Sequence, residues 1–377
     1  MKKNHKLYDK LNDDVLPLVQ KPARYLGLET GTTIKDIENI PLKFALAFPD
    51  FYELGMSHIG MGIIYDILNS IDYIACERVY LPYPDMSAKL KEHNIPLFSL
   101  ESYEEIKNFD IAGFSLQYEL SYTNILLMLE LSGIPLFSKD RNGTDSPFIG
   151  AGGPCAFNPL PLNDFMDFFI IGDGEITTVL VCDAVLKAKN ELKSGVVDIS
   201  DYRNYVKRKL AEIRGVYVPG ISKIVKKSLL NDIDLNYNFN NCDSLNNLNS
   251  LNASNFKNSV VQSGHNYINK HIVPLIETVH NRLAVEIARG CSSGCRFCQA
   301  GYIYRPVRER KKRYRSKCRK TRIAYYRLGR NIAFFTFYGR LFRNRTAAFR
   351  VSGIDYRREN IDVFSVYENR FFKRRYT

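Results

Sequence analysis

The sequence predicts an α/β fold: an N-terminal, doubly wound parallel sheet, followed by the first unit of a second, incomplete α/β element. Three observations predict it. Short apolar runs alternate with amphipathic helical stretches through roughly the first 220 residues, which is how parallel strands and their crossover helices read. Glycine-rich turns follow two of these runs, at Gly150–Gly153 and Gly172–Glu175. A further apolar run, Leu283–Ile287, leads directly into a loop dense in cysteine.

The elements follow in order. Leu42–Phe48 (LKFALAF) reads as a buried strand, because both of its faces are apolar. Pro49–Gly55 is a loop, and Ser57–Asn69 a helix with Ile59, Ile63, Ile64, Ile67 and Leu68 on one face. Asp110–Leu116 is the second strand, followed by a helix from about Ser121 to Ser132. Pro147–Ala151 is the third and Phe168–Ile171 the fourth, ending in Gly172-Asp173-Gly174-Glu175 before a helix through Val179 and Leu186.

Ligands of doubly wound sheets sit at the carboxyl ends of the strands. Gly150, Gly152, Gly153, Gly172 and Gly174 fall there, where a missing Cβ lets a ligand approach the backbone or simply permits a tight turn. Asp173 and Glu175 have two readings: a bond to a nucleotide-like tail, or a contact with the start of the next helix. His58, at a helix start, is either a ligand or a residue of the cap.

The run RGCSSGCRFCQAG places Cys291, Cys295 and Cys298 in a CxxxCxxC array. Small residues between them (Ser292, Ser293, Gly294) let the backbone wrap around one soft metal centre. Thiolates select zinc or an iron–sulfur cluster. Structural zinc wants four ligands, and Cys318 is the sole later cysteine. Three thiolates leave one iron of a four-iron cluster open to a substrate or cofactor.

Eight cysteines with three in one loop fit a reducing, cytoplasmic setting rather than a disulfide framework. No stretch approaches the roughly 20 apolar residues of a membrane span, and the N-terminus lacks the apolar core of a secretory signal. The net charge of +13 is uneven. Lys311–Thr377 holds 20 Lys and Arg against 4 Asp and Glu, whereas the first 310 residues hold 33 against 36. Arginine largely replaces lysine beyond that seam and aromatics become denser, without a clear helix or strand period. A basic aromatic tail suits nucleic acid, or is a solvated extension. The joint shift in charge, arginine usage and aromatics favours a change of reading frame near residue 310.

Residues 231–260 contain 11 asparagines and few aliphatic anchors, which reads as a linker or insert. The expected organisation is therefore an extension over 1–40, a sheet domain over 41–228 and an Asn-rich linker over 229–270. The second element occupies 271–310, and the tail, a non-native continuation, 311–377.

The cysteine loop resembles that of the radical S-adenosylmethionine (radical SAM) superfamily, including Phe297 directly before the third cysteine. The resemblance implies that Cys291, Cys295 and Cys298 hold a 4Fe–4S cluster whose open iron is chelated by S-adenosylmethionine, with Phe297 against the adenine. It further implies an electron donor such as flavodoxin or ferredoxin, and a 5′-deoxyadenosyl radical that takes hydrogen from an unknown substrate. The N-terminal half resembles the cobalamin-binding-like domain that precedes the barrel in one branch of the superfamily. KPARYLGLE (21–29), FPDFYELGMSHIGMGIIYDILN (48–69), ERVYLPYPDM (77–86), GFSLQYELSYTNIL (113–126), GAGGPCAFNPLPL (150–162) and FFIIGDGE (168–175) carry that likeness. With VHNRLAVEIARGCSSGCRFCQAGYIYRPVRER (279–310), they look most like an uncharacterised bacterial family of that branch.

Cobalamin is thereby implied as a further cofactor. The Asp-x-His-x-x-Gly signature of its histidine ligand is incomplete, since Met56 precedes His58 by two and Met61 follows by three. Only the first unit of a radical SAM (β/α) barrel is expected, because 79 residues follow Cys298 and each strand–helix repeat needs about 30. The chain as written is expected to lack catalysis. The alternative from another class is a nucleic-acid-binding protein with a basic tail and a zinc knuckle, and metal content separates the two.

Overall fold

The computed structural model describes residues 5–222, 271–280, 282–291, 295–299, 303, 308–309 and 331–337. Strands β1 (Leu42–Phe48), β2 (Ile74–Tyr80), β3 (Ile111–Ser115), β4 (Phe148–Gly152), β5 (Phe168–Ile170) and β6 (Val216–Tyr217) form one sheet in the order β2-β1-β3-β4-β5-β6. The first five are parallel, and β6 closes the edge antiparallel to β5. The expected α/β class with a doubly wound sheet is therefore the observed one.

Alternation along β1 explains the winding. Leu42, Phe44, Leu46 and Phe48 point to one face, Ala45 and Ala47 to the other. Helices α1 (His5–Lys10), α2 (Tyr52–Gly55), α3 (Ile59–Asn69), α4 (Pro84–Glu92), α5 (Tyr122–Leu131), α6 (Gly174–Lys193) and α7 (Tyr202–Ala211) divide between these faces. The large side chains of β1 pack on α3, α6 and α7, through Ile63, Leu68, Val181 and Leu210. Its alanines pack on α4 and α5, through Met86, Leu90, Ile125 and Leu129. Among the described residues, no helix is long and apolar enough to cross a membrane.

Strand β2 has no counterpart in the sequence reading, because IACERVY carries Glu77 and Arg78 at its centre. Both are almost fully buried, at 1% and 2% exposure. Arg78 lies between Glu29 and Glu101, with Nη2–Oε2 and Nε–Oε1 separations of 2.9 and 2.6 Å. Glu77 Oε2 accepts from Ser99 Oγ at 2.5 Å and Ser102 Oγ at 2.6 Å. Residues placed in the 1–40 extension belong to the same core: Leu11, Val15, Leu16 and Val19 are buried in it, since they present an apolar face to α4. After the undescribed segment, Val273 pairs with Thr30 and Leu275 N donates to Tyr52 Oη, tying residues 271–276 to this domain.

A second, three-stranded sheet has the order β8-β7-β9, with β7 at Arg282–Arg289, β8 at Arg308–Glu309 and β9 at Asn331–Phe337. β9 runs parallel to β7, and β8 antiparallel. β9 lies inside the tail that lacks a clear strand period in sequence; its near-continuous apolar run is how a parallel strand reads. The Asn-rich linker over 229–270 and the rest of the tail lie outside the described residues, as does the frame change inferred there.

Candidate functional site

At the carboxyl ends of β1, β3, β4 and β5, between the sheet and helices α3 and α6, is a cavity of about 170 Å³. The strand order reverses between β1 and β3, so the cavity adjoins the switch point where doubly wound sheets bind ligands. His58, Gly150, Gly152, Gly153, Gly172, Gly174 and Glu175, named separately from the sequence, all line it. Phe44, Leu46, Met61, Ile63, Phe168 and Ile170 make most of the wall apolar, while Gln117, Asp173, Thr178 and Arg289 add polar groups.

The glycines serve different ends. A Cβ on Gly150 would come within 2.1 Å of Phe168 Cζ, and one on Gly113 within 2.6 Å of Phe44 Cζ. These two glycines seat aromatic rings against the sheet. Gly153, at φ +110°, lets the chain turn after β4, where a Cβ would meet the carbonyl oxygen of Leu116 at 2.5 Å. Gly152 faces more open space, its nearest neighbour being Ile170 Cβ at 3.7 Å.

His58 is the N-cap of α3, and its Nδ1 accepts the backbone N–H of Met61 at 3.2 Å. Burial drives its pKa down to about 4, opposed by a hydrogen bond with Gln117, so the ring is neutral. A neutral imidazole that accepts at Nδ1 carries its proton on Nε2. His58 thus caps α3 through Nδ1 while its ring lines the cavity.

Arg289, the last residue of β7, closes one side of the cavity. Its Nη2 lies 2.7 Å from Glu175 Oε1, its Nη1 3.2 Å from Asp173 Oδ1 and its Nε 2.6 Å from Glu286 Oε1. Burial opposes its charge, but Glu175 and Glu286 outweigh that and raise its pKa. Arg289 and Arg296 flank Cys291 and Cys295 in the sequence, and three carboxylates engage the charge of Arg289. Arg296, the other, is exposed. Sequence reasoning did not pair Arg289 with Asp173 and Glu175, because an ion pair between distant segments leaves no periodic trace.

Cys291 and Cys298 are half-buried, Cys295 is exposed, and none is in a disulfide. Cys298 N donates to Cys295 O at 3.1 Å, a tight turn that keeps these two cysteines close along the backbone. Among the described residues, no three His, Cys, Asp or Glu side chains are gathered to hold a metal ion. Three cysteines outside any disulfide within eight residues are nevertheless a suitable donor set for an iron–sulfur cluster. Phe297 is 92% exposed beside them.

Residues 60–219 match a protein-family model described as radical SAM proteins, N-terminal. The match runs from within α3 to just past β6 and so includes most of the cavity wall. The chain is 25% identical over 288 residues to an uncharacterized protein of Methanocaldococcus jannaschii, an alignment covering 74% of this chain and 44% of that protein. It thus spans less than half the length of that curated relative. No solved structure matches the chain.

Proposed function

We propose that this chain, which belongs to the radical SAM superfamily through its N-terminal domain, uses Cys291, Cys295 and Cys298 to hold a 4Fe–4S cluster. The observation that carries this reading is the set of three cysteines, none in a disulfide, that follow β7, beside a domain that matches that family. A cluster held there would supply the electron that cleaves bound S-adenosylmethionine and so start radical chemistry on a substrate.

This chain's own residues have three tasks in that chemistry. The cysteines bind as thiolates, so loading weakens as acid protonates them. Phe297, exposed beside the cysteines, would offer its ring to the adenine of S-adenosylmethionine. The cavity lined by Gly150, Gly152, Gly153, Gly172, Gly174 and Glu175 holds an organic ligand close to the cysteine loop and keeps water from it.

Anaerobic reconstitution of the full chain with iron and sulfide tests the reading. Broad charge-transfer absorption, abolished by Cys295→Ser, is the expected result. Full iron retention by the variant with alanine at all three positions, or stoichiometric zinc without sulfide, would sink it.

A further inference from the structure

We infer that Arg289 is a positioning residue that holds the cysteine loop against the mouth of the glycine-lined cavity, so that loop and cavity form one composite site. The inference rests on the proposed cluster for one of its two readouts and stands without it for the other.

The local sequence prepares the guanidinium. On a regular strand, residues three apart point to opposite faces. The register of β7 against β9 shifts between Glu286 and Ala288, and Glu286 and Arg289 come to the same side. Glu286 then takes Arg289 Nε at 2.6 Å and Nη2 at 3.1 Å, a bidentate grip within one strand. That grip fixes the plane of the fork, which points Nη1 and Nη2 at Asp173 and Glu175. A lysine has one point charge and cannot address three carboxylates in this way.

The receiving end is equally specific. Asp173 is the N-cap of α6, a position where aspartate ordinarily bonds the first turn, yet its side chain makes no capping bond. It meets Arg289 instead, at 3.2 Å. Asp173 and Glu175 also line the cavity, so the clamp closes at the cavity's own rim. Gly290, at φ +101°, turns the chain immediately beyond the clamp, a conformation other residues rarely adopt. Two residues span at most about 7 Å, so Cys291 stays within that reach of Arg289. The strand end that carries Cys291 and the wall of the cavity are therefore held by one contact, which keeps Cys291 within that reach of the residue that closes the cavity.

The test uses the full chain with Arg289→Ala, Arg289→Lys and Glu175→Gln. Hydrogen exchange over residues 282–291 should rise about tenfold or more in the alanine variant and in Glu175→Gln, while residues 42–80 stay protected. Lysine should restore only part of that protection. In reconstituted protein, the reduced cluster's paramagnetic resonance spectrum should respond to S-adenosylmethionine in wild type and lose that response in Arg289→Ala at unchanged iron content. Unchanged exchange in both Arg289→Ala and Glu175→Gln overturns the inference whether or not iron binds. Raised exchange with an unaltered spectral response reduces the clamp to a structural contact and also overturns it. A wild-type chain that takes up no iron refutes the proposed function, and exchange alone then decides the clamp.

Discussion

Replacing Glu77 with glutamine should remove a pH-dependent weakness from the sheet domain. Burial in β2 raises the Glu77 carboxyl to about 7, reinforced by the charge of Glu101 and opposed by hydrogen bonds from Ser102 and Ser99. A carboxyl raised on folding is held protonated by the native state after the unfolded chain has released its proton. Stability therefore falls as pH rises from the unfolded value through the native one, and levels off above it. A rise from the ordinary glutamate value of 4.5 to about 7 corresponds to roughly 2–3 kcal/mol lost between about pH 5 and pH 8. The glutamine carbonyl oxygen can accept the same Ser99 and Ser102 hydroxyls without carrying a charge. Urea unfolding of the full chain, followed by far-ultraviolet circular dichroism at both pH values, measures the difference. Wild type should lose about 2–3 kcal/mol more than the variant over this interval. Parallel pH profiles, or a variant less stable than wild type at the higher pH, would refute the argument.

Asp167→Asn should destabilise the same domain by about 3–5 kcal/mol, because Arg141, Arg203 and Lys207 converge on this buried carboxylate. Burial alone would raise its pKa, but those three cations hold it below the usual range. Its contribution is therefore present above the unfolded pKa and lost as pH falls through the native one, which an acid titration of wild type against variant can follow. Gly150→Ala should cost roughly 1–3 kcal/mol in urea unfolding, through the clash with Phe168. Adding Phe168→Leu should recover part of that loss, whereas additive losses would mean the ring is not the obstacle.

The parallel sheet was legible because β1, β3, β4 and β5 are apolar on both faces and are bounded by turns. β2 was hidden by Glu77 and Arg78, charges that ordinarily mark a surface. Their partners Glu29, Ser99, Glu101 and Ser102 lie elsewhere in the chain, and only the fold shows that the pair is satisfied. The N-terminal segment was read as an extension for a related reason. Its helices are short, and the apolar face of Leu11 and Val15 has meaning only against the domain that covers it. Conversely, the seven residues named at strand ends met in one cavity because the position of strand ends in a parallel sheet is fixed by topology rather than by pairwise contacts.

That cavity also separates two roles that glycine has at strand ends. Gly113 and Gly150 are filled positions: the Phe44 and Phe168 rings occupy the space a side chain would take, and these glycines act as seats for the wall. Gly152 has ordinary packing clearance, its nearest neighbour at 3.7 Å, whereas Gly174 is tighter, at 3.3 Å from Ile64 Cδ1; both border the cavity. His58 belongs with the seats, since its ring caps α3 and lies over Gly60, whose added Cβ would come within 2.7 Å of it. Asp173 and Glu175, which also line the cavity, are the two residues of the Gly172–Glu175 turn that meet Arg289. They lie at the start of α6, on the side where β7 delivers the cysteine loop. If an organic ligand enters this cavity, the charged groups it meets are Asp173, Glu175 and Arg289 at that rim.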